Sequence, residues 1–499
     1  MSKYDVIVVG AGNAGLTASV ALSQKGLKVL LLERHNIPGG CATSFCRGKF
    51  EFEVALHQLS GIGTSDRPGP LRMNLAKLGI MDELEFVEIP ELYNVFMADG
   101  FSISLDHDRE RVVSELQQKF PKEKDSIEAF FDLVYKYAND MIGIFFFKDP
   151  EPSREKYPTM YKYAFRPSIE VLNEYFSDPL LKAVVSAYWG YIGLPPTRLS
   201  FAYLAMLLFV YIEFKPFHIK GGSQALSNAL VNRFLANGGE IRFNCPVKKI
   251  NIRERAVKGV TTEEGETIEA RYVVSNVSPV ATYYQLIDPD LIPSSVYQEI
   301  GAKSLSPSAF TLYIGFDCEP KQLGISGTTN FLIHNPDISD RALELMKNTS
   351  ISEEAMLLSC YDVADPDFSP PGTCQASVVT LKYGEPWLRI PPRQYHKVKF
   401  ACAEQMLQRV EQVFPGLRDH IEELDVATPL THMRYLGHPA GAIYGFEQYA
   451  KDSMFFQLGH YSPFKGLLFA SGWVEGGGFQ PTLQAGIHAA KAIVKEKSQ

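Results

Sequence analysis

The stretch YDVIVVGAGNAGLTASVALSQKGLKVLLLER, Tyr4 to Arg34, decides how the rest of the chain is read. Its run DVIVVG is short and β-branched, the pattern of a strand buried in a parallel sheet. Gly10, Gly12 and Gly15 follow as G-x-G-x-x-G. In that motif the first glycine makes a tight turn, the second lets a pyrophosphate approach the backbone, and the third lets a helix sit close to the strand. LTASVALSQKG repeats apolar side chains at helical spacing and stops at Gly26. KVLLLE reads as a second parallel strand closed by Glu33. An acid about 20 residues past the glycines can accept hydrogen bonds from ribose hydroxyls. The helix N-terminus offers N–H groups and a positive dipole to phosphates. A lone glycine motif is weak, but strand, helix, strand and acid in order favour a dinucleotide site over a bare glycine turn.

The totals limit what else the chain can be. At 499 residues it is too long for a single core, so two or more domains are expected. The formal net charge is −8 and no block of Lys and Arg stands out, which argues against a nucleic-acid partner. The seven cysteines are scattered, with no C-x-x-C pair. That fits a reduced, cytoplasmic protein and gives no zinc or disulfide framework, so no metal is expected. No signal peptide precedes the first strand, and no apolar run reaches the roughly 20 residues needed to span a bilayer. FAYLAMLLFVYI (residues 201–212) and MIGIFFF (residues 141–147) are nonetheless greasy. Core is the default reading, with a tunnel wall or a peripheral membrane contact as the alternatives.

The choice between NAD and FAD turns on what lies downstream. PGGCATSF puts Gly39 and Gly40 just past Glu33, where a flavin's pyrophosphate and ribityl chain need a second close backbone approach. A turn after Pro38 is the simpler alternative. Residues 217–279 read as a glycine turn, a long helix, a strand, a hairpin and the buried strand YVVSN. Residues 466–494 give a strand from Leu467 to Ala470, a glycine-rich loop and a helix from about Pro481. That places another helix N-terminus where a flavin could be held. Together these segments favour FAD.

With these segments in view, the chain resembles the phytoene desaturase-like flavoproteins, which include carotenoid desaturases, carotenoid isomerases and retinol saturase. The resemblance spans the whole chain. It is carried by VVGAGNAGL, Glu33, PGGCATSF, KFEFEVALHQLSGIG, GYIGLPP, IKGGSQALSNAL, YVVSNVSP, TPLTHMRYLGHPAGAIYGF and the C-terminal glycine segment. F-E-x-x-x-H (residues 52–57) and G-A-I-Y-G (residues 441–445) lean toward the saturase and isomerase branch. It implies that Gly10, Gly12 and Gly15, with Ala14, face the pyrophosphate and that Glu33, beside Arg34, holds the adenosine ribose. Gly39 and Gly40 would follow the ribityl region, with Cys41 near the cofactor or simply a small buried thiol. The Val247 backbone would read the adenine edge, and Gly472, Gly478, Phe479 and Gln480 would lie at the flavin. Many relatives carry Asp after the glycine matching Gly472, whereas this chain has Trp473.

The resemblance implies an α/β fold. A Rossmann-like FAD-binding domain is expected from residues 1–75, 215–285 and 455–499. A mixed-sheet substrate domain is expected from 76–105 and 286–454, and a helical cap from 106–214. SAFTLYIGFD and QASVVTLKYG alternate like strands. No second dinucleotide motif is visible, so electrons would come or go through a quinone or another partner. The aromatic stretches YKYANDMIGIFFF, YPTMYKYAF and FAYLAMLLFVYIEF suit the walls of a site for a long hydrocarbon. The expected activity is FAD-dependent redox chemistry at a C–C double bond of an isoprenoid or polyene, with saturation favoured. Desaturation, redox-neutral cis–trans isomerisation, amine oxidation and a non-catalytic lipid escort are the alternatives. A reductase needs a proton to match the hydride, and His57, Tyr444 and Glu475 are the candidates to hold it.

Overall fold

A computed structural model of the chain describes residues 3–450 and 457–498. Residues 455 and 456, expected to open the third piece of the cofactor domain, lie outside the described residues. Strand β1 (Tyr4–Val9), helix α1 (Asn13–Ser23) and strand β2 (Val29–Leu32) form in the order read from the sequence. β1 pairs in parallel with β2 on one side and with Thr267–Ser275 on the other. Leu467–Phe469 adds beyond Thr267–Ser275, and Glu240–Arg242 adds beyond β2, both in parallel. The antiparallel strands Val247–Arg253 and Ala256–Thr262 extend this seven-stranded sheet.

β1 is buried on both faces. Val6 and Val8 pack with α1 and the helices Gly222–Ala236 and Phe479–Ser498, while Ile7 and Val9 pack into a second core on the other face. A parallel strand covered on both sides reads as the continuous apolar run seen in the sequence. α1 and Phe479–Ser498 approach very closely. A Cβ on Gly486 would lie 2.0 Å from Thr17 Oγ1 and 2.2 Å from the Ala14 carbonyl oxygen. The Thr17 hydroxyl donates across this contact to the Leu483 carbonyl at 3.0 Å.

A second seven-stranded sheet runs in the order Ile421–Ala427, Ser308–Phe316, Cys374–Lys382, Met356–Ser359, Thr329–Ile333, Glu91–Met97, Ser102–Asp106. It is mixed, because Thr329–Ile333 pairs in parallel with Glu91–Met97 while the other pairs are antiparallel. The expected alternation of residues 308–317 is corrected here. Ser308–Phe316 is buried at every position, because the strand sits inside the sheet with both faces covered.

Between the early strands of this sheet and residue 214 the chain is mainly helical. Lys124–Met141 continues into a π-helical turn, Ile142–Phe146. Phe201–Phe214 is apolar around most of its circumference because it has two buried faces. Leu204, Ala205 and Leu208 enter a core shared by these helices and the second sheet, while Tyr203, Met206, Leu207 and Val210 face a cavity.

Candidate active site

A cavity of about 1600 Å³ runs from the glycine turn after β1 to the apolar helix Phe201–Phe214. A drug-sized ligand fills roughly 300–1,000 Å³, so this space suits two molecules rather than one. Gly10, Gly12, Ala14, Glu33, Arg34, Gly39, Gly40, Cys41 and Val247 line it, as do Gly472, Gly478, Phe479 and Gln480. His57 and Tyr444 also line it, and Glu475 does not. Gly15 differs from the expectation that it would face the pyrophosphate. A Cβ there would meet the Gly10 carbonyl oxygen at 2.0 Å and Asn276 Cβ at 3.2 Å, so Gly15 serves the close contact of helix and turn. The aromatic stretch 157–165 gives no cavity wall either. Met160, Tyr163 and Ala164 turn into the core shared by the helices and the second sheet instead.

The turn is held by two side chains. Both oxygens of Glu33 accept backbone N–H groups, Oε2 from Ala11 at 2.6 Å and Oε1 from His35 at 2.8 Å. An ionised carboxylate has about four acceptor sites, so capacity remains for a ribose. Asn276 Oδ1 accepts from the Gly12 N–H at 3.0 Å, and its Nδ2 donates to the Ala470 carbonyl at 2.7 Å. This residue thereby ties the turn to the ends of two neighbouring strands. Sequence reasoning missed it, although it stands in YVVSN where a strand of the parallel sheet ends. Gly39 has φ +119°, and a Cβ there would come within 2.0 Å of the Ala42 carbonyl oxygen. Only glycine fits that backbone. Arg34 Nη2 donates to the Arg434 and Tyr435 carbonyls at 3.2 and 2.6 Å, at the end of the helix Pro429–Leu436. A cation there satisfies the last helix carbonyls and anchors that helix to the glycine-turn region.

The residues present fit a flavin dinucleotide. Asn13 Oδ1, Ser471 Oγ and His432 Nε2 are buried at the cavity wall without a hydrogen-bond partner from the chain. Buried polar atoms are nearly always paired, so these three call for ligand or solvent atoms. The glycines leave the backbone open beside them. Trp473 is fixed by its neighbours. Its Nε1 donates to His438 Nε2 at 3.5 Å, and His438 Nδ1 bonds the Ala442 carbonyl at 2.8 Å. Its ring meets Phe446 edge to face at 4.9 Å.

At the other end of the cavity the wall is aromatic. His57 Nδ1 lies 3.1 Å from Ser359 Oγ, and its ring stacks on Tyr191. Burial lowers the His57 pKa to about 4, so the ring is neutral at neutral pH. Tyr188 and Tyr191 both donate to Gln58 Oε1, at 3.0 and 3.2 Å, while the Tyr211 hydroxyl donates to the Gln58 carbonyl at 3.1 Å. This tyrosine cluster around Gln58 escaped sequence reasoning, because its members lie far apart in the chain. Tyr444 is packed between glycines. A Cβ on Gly193 would sit 2.7 Å from its ring, and one on Gly477 3.0 Å from its Cα. Its hydroxyl donates to the Gly190 carbonyl at 2.8 Å, and burial raises its pKa further. Burial also pushes the Cys41 thiol up to about 11, so it carries no thiolate at neutral pH.

Glu475 sits outside the cavity. His460 Nε2 bonds its Oε1, and His488 Nδ1 bonds the same oxygen at 2.6 Å. Burial raises its pKa, but the bonds from the two imidazoles outweigh that and hold it at about 2.

The chain matches the family described as Flavin containing amine oxidoreductase over residues 13–494. It is 25% identical over 474 residues to the all-trans-retinol 13,14-reductase of Danio rerio, covering 88% of this chain and 77% of that protein. It is 27% identical over 465 residues to prolycopene isomerase 1, chloroplastic, of an Oncidium hybrid cultivar, covering 88% and 75%. Among solved structures, an oxidoreductase from Methanosarcina mazei superposes with a TM-score of 0.67 at 17% identity, over 98% of this chain and 100% of that one.

Proposed function

The chain belongs to the flavin containing amine oxidoreductase family, and from that premise we propose that it is an FAD-dependent oxidoreductase acting on a C–C double bond of a long apolar isoprenoid or polyene. Saturation of the bond is the favoured direction. The single observation that carries the reading is the shape of the cavity. It joins a glycine-lined dinucleotide cradle to an apolar wall of Met141, Met206, Leu207 and Val210 without a break. The similarity to a retinol reductase and a prolycopene isomerase supports the same substrate class. Residues 1–75, 215–285 and 455–499 would hold the cofactor, 76–105 and 286–454 the substrate, and 106–214 the cap.

When bound, the flavin supplies a hydride donor and acceptor. The chain's own residues bind, orient and exclude water. In this reading Glu33 holds the ribose, and Asn276 and Gly39 keep the turn open for phosphates. The cap helix Phe201–Phe214 keeps the apolar tail dry. His57 and Tyr444 face the reacting region. A neutral His57 accepts a proton more readily than it gives one, and the Tyr444 proton is already committed to Gly190. Both therefore act mainly by fixing the wall and its hydrogen bonds, Glu475 does not line the cavity, and the proton that matches the hydride in a saturation comes from solvent. A quinone or another external partner exchanges electrons with the flavin.

Among the described residues no helix is long and apolar enough to cross a membrane. A peripheral contact with a lipid surface belongs to the same proposal. Phe145, Phe146 and Phe147 are 52%, 54% and 75% exposed at the π-helical tip that follows the cavity residue Met141. The test is product mass after anaerobic incubation of the flavin-reduced protein with a polyene panel that includes retinol. A gain of two hydrogens is expected. An unchanged mass with altered chromatographic mobility would replace saturation by isomerisation. No product from any polyene would refute the substrate class.

A further inference from the structure

Three side chains from separate segments meet beneath the glycine loop Gly476–Gly478. They are His460, just before the strand Leu467–Phe469, Glu475, at the end of the short helix Gly472–Glu475, and His488, on the helix Phe479–Ser498. None of them lines the cavity. Their donor atoms all lie within 4.8 Å of one another. His460 Nε2 and His488 Nδ1 converge on one oxygen, Glu475 Oε1, with the two rings nearly perpendicular at 85°. We propose that His460 Nε2, His488 Nδ1 and the Glu475 carboxylate form a three-ligand site for a divalent transition-metal ion, Zn2+ by its donor set.

The surroundings match the chemistry of such a site. A ligating histidine usually donates its other ring N–H to a carbonyl or carboxylate, which fixes the tautomer and aims the free lone pair. His460 does this, with Nδ1 bonded to the Phe469 carbonyl at 2.9 Å. Gln484 lies one helical turn before His488 with its amide nitrogen 3.4 Å from the outer ring nitrogen, so its amide must turn its oxygen inward to accept the proton that metal binding moves there. Two imidazoles and one carboxylate suit zinc, leaving a fourth position for water. Side-chain exposures of 16%, 21% and 38% keep the ligands half-buried yet reachable from solvent. Zinc ligands on one ion stand about 3.3 Å apart at the usual bond lengths of roughly 2.0–2.2 Å. The 2.6 Å contact between His488 and Glu475, and the shorter one between His460 and Glu475, must therefore each open by about 0.7 Å or more as the ion replaces the shared protons. The balance is simple. His460 gives up its Nε2 proton to solvent, His488 moves its proton to the outer nitrogen, and no electron is transferred.

Three protein ligands leave the shell open to one water, unlike the closed four-ligand shell of structural zinc, so the site would exchange its ion with solvent. It would join the strand edge, the short helix and the last helix into one unit around Gly476–Gly478, whose last two glycines border the cavity. It does not rest on the polyene reading, since metal binding is read without any substrate.

The experiment starts with the flavin-loaded full chain, treated with chelator, exchanged into chelator-free buffer and titrated with ZnCl2 by calorimetry at pH 7.5. One equivalent is expected to bind at about micromolar Kd or tighter, with release of protons and a rise in melting temperature. Co2+ in its place is expected to give tetrahedral visible absorption bands. H460A and H488A are expected to weaken binding at least tenfold, and the conservative E475Q guards against a folding artefact. Flavin absorbance shows that each variant remains loaded. No saturable binding to the parent chain would overturn the proposal. Binding unchanged in all three variants would also overturn it, moving the ion elsewhere, for example to Asp317, Cys318 and His420.

Discussion

Replacing Glu33 by Gln tests how the cradle holds a dinucleotide. The carboxylate accepts two backbone N–H groups, from Ala11 at 2.6 Å and His35 at 2.8 Å. A glutamine keeps one acceptor oxygen and turns its amide donors toward the other N–H. One charge-assisted bond is lost, and one backbone donor faces a donor. Bonds to charged groups contribute about 1.5–3 kcal/mol, and the half-exposed position argues for the lower part of that range. A loss of about 2 kcal/mol corresponds to roughly 30-fold in affinity. The loss falls on flavin binding because Ala11 belongs to the phosphate turn and the same carboxylate faces the ribose. The assay is titration of flavin-stripped protein with FAD, followed by quenching of flavin fluorescence. E33Q is expected to weaken binding about 30-fold, and E33A more, since it removes both acceptors. A Kd for E33Q within threefold of the parent, in a folded protein, would refute the assigned role of Glu33.

M206W should narrow the apolar end of the cavity without touching the cradle. It is expected to lower kcat/KM for a long polyene at least tenfold while leaving the FAD Kd unchanged, and an equal effect on both would contradict the two-part cavity. G486A should crowd the contact with α1, where the new Cβ meets Thr17 and the Ala14 carbonyl. Overpacking of this kind costs about 1–3 kcal/mol, so the melting temperature should fall, and an unchanged value would show that the helices separate freely. Acid should weaken the fold. His57 and His218 are both lowered by burial to about 4 from 6.5, so the unfolded chain binds more protons between those values. Their contribution is complete above about pH 6.5 and is lost as pH falls toward 4, by up to about 3 kcal/mol per ring. Asp362, raised by burial to about 6, works in the opposite sense, so the histidine part is isolated by H218F. The urea midpoint of the parent should fall more steeply between pH 7 and 5 than that of H218F, and parallel curves would contradict the assignment.

Much of the cofactor half was legible because its signals are local. A buried strand, a tight turn and a helix each leave a mark within a few residues, and Gly10, Gly12, Glu33 and Gly39 could be found one at a time. What the side chains do to one another was not local. Glu33 was read as a ribose acceptor, but its two backbone partners appear only when β2 ends beside the turn. Asn276 gave no signal beyond a polar residue closing a strand. The aromatic stretches were harder still, since composition does not say which face of a helix looks inward. Residues 201–214 wall the cavity, whereas residues 157–165 look just as suitable and turn away from it. Glu475 was noticed for its glycine neighbours, and nothing in its vicinity announced His460 or His488. The strand Ser308–Phe316 shows the converse failure. Its alternation was read as that of a strand, but the sheet and its neighbours bury every position, Thr311 included.

The order of strands in the parallel sheet has a consequence for how the protein is made. β1 is translated before its neighbour Thr267–Ser275 by more than 250 residues, and that strand's outer partner Leu467–Phe469 follows about 190 residues later still. Asn276 cannot bridge Gly12 to Ala470 before both have been translated. The phosphate turn therefore stays incomplete until Ala470 has been added, 458 residues after Gly12. Apolar strand edges must be shielded meanwhile, a task for chaperones. A flavin cradle that closes only once Ala470 is in place predicts that flavin-starved cells accumulate complete, protease-sensitive chains rather than arrested fragments.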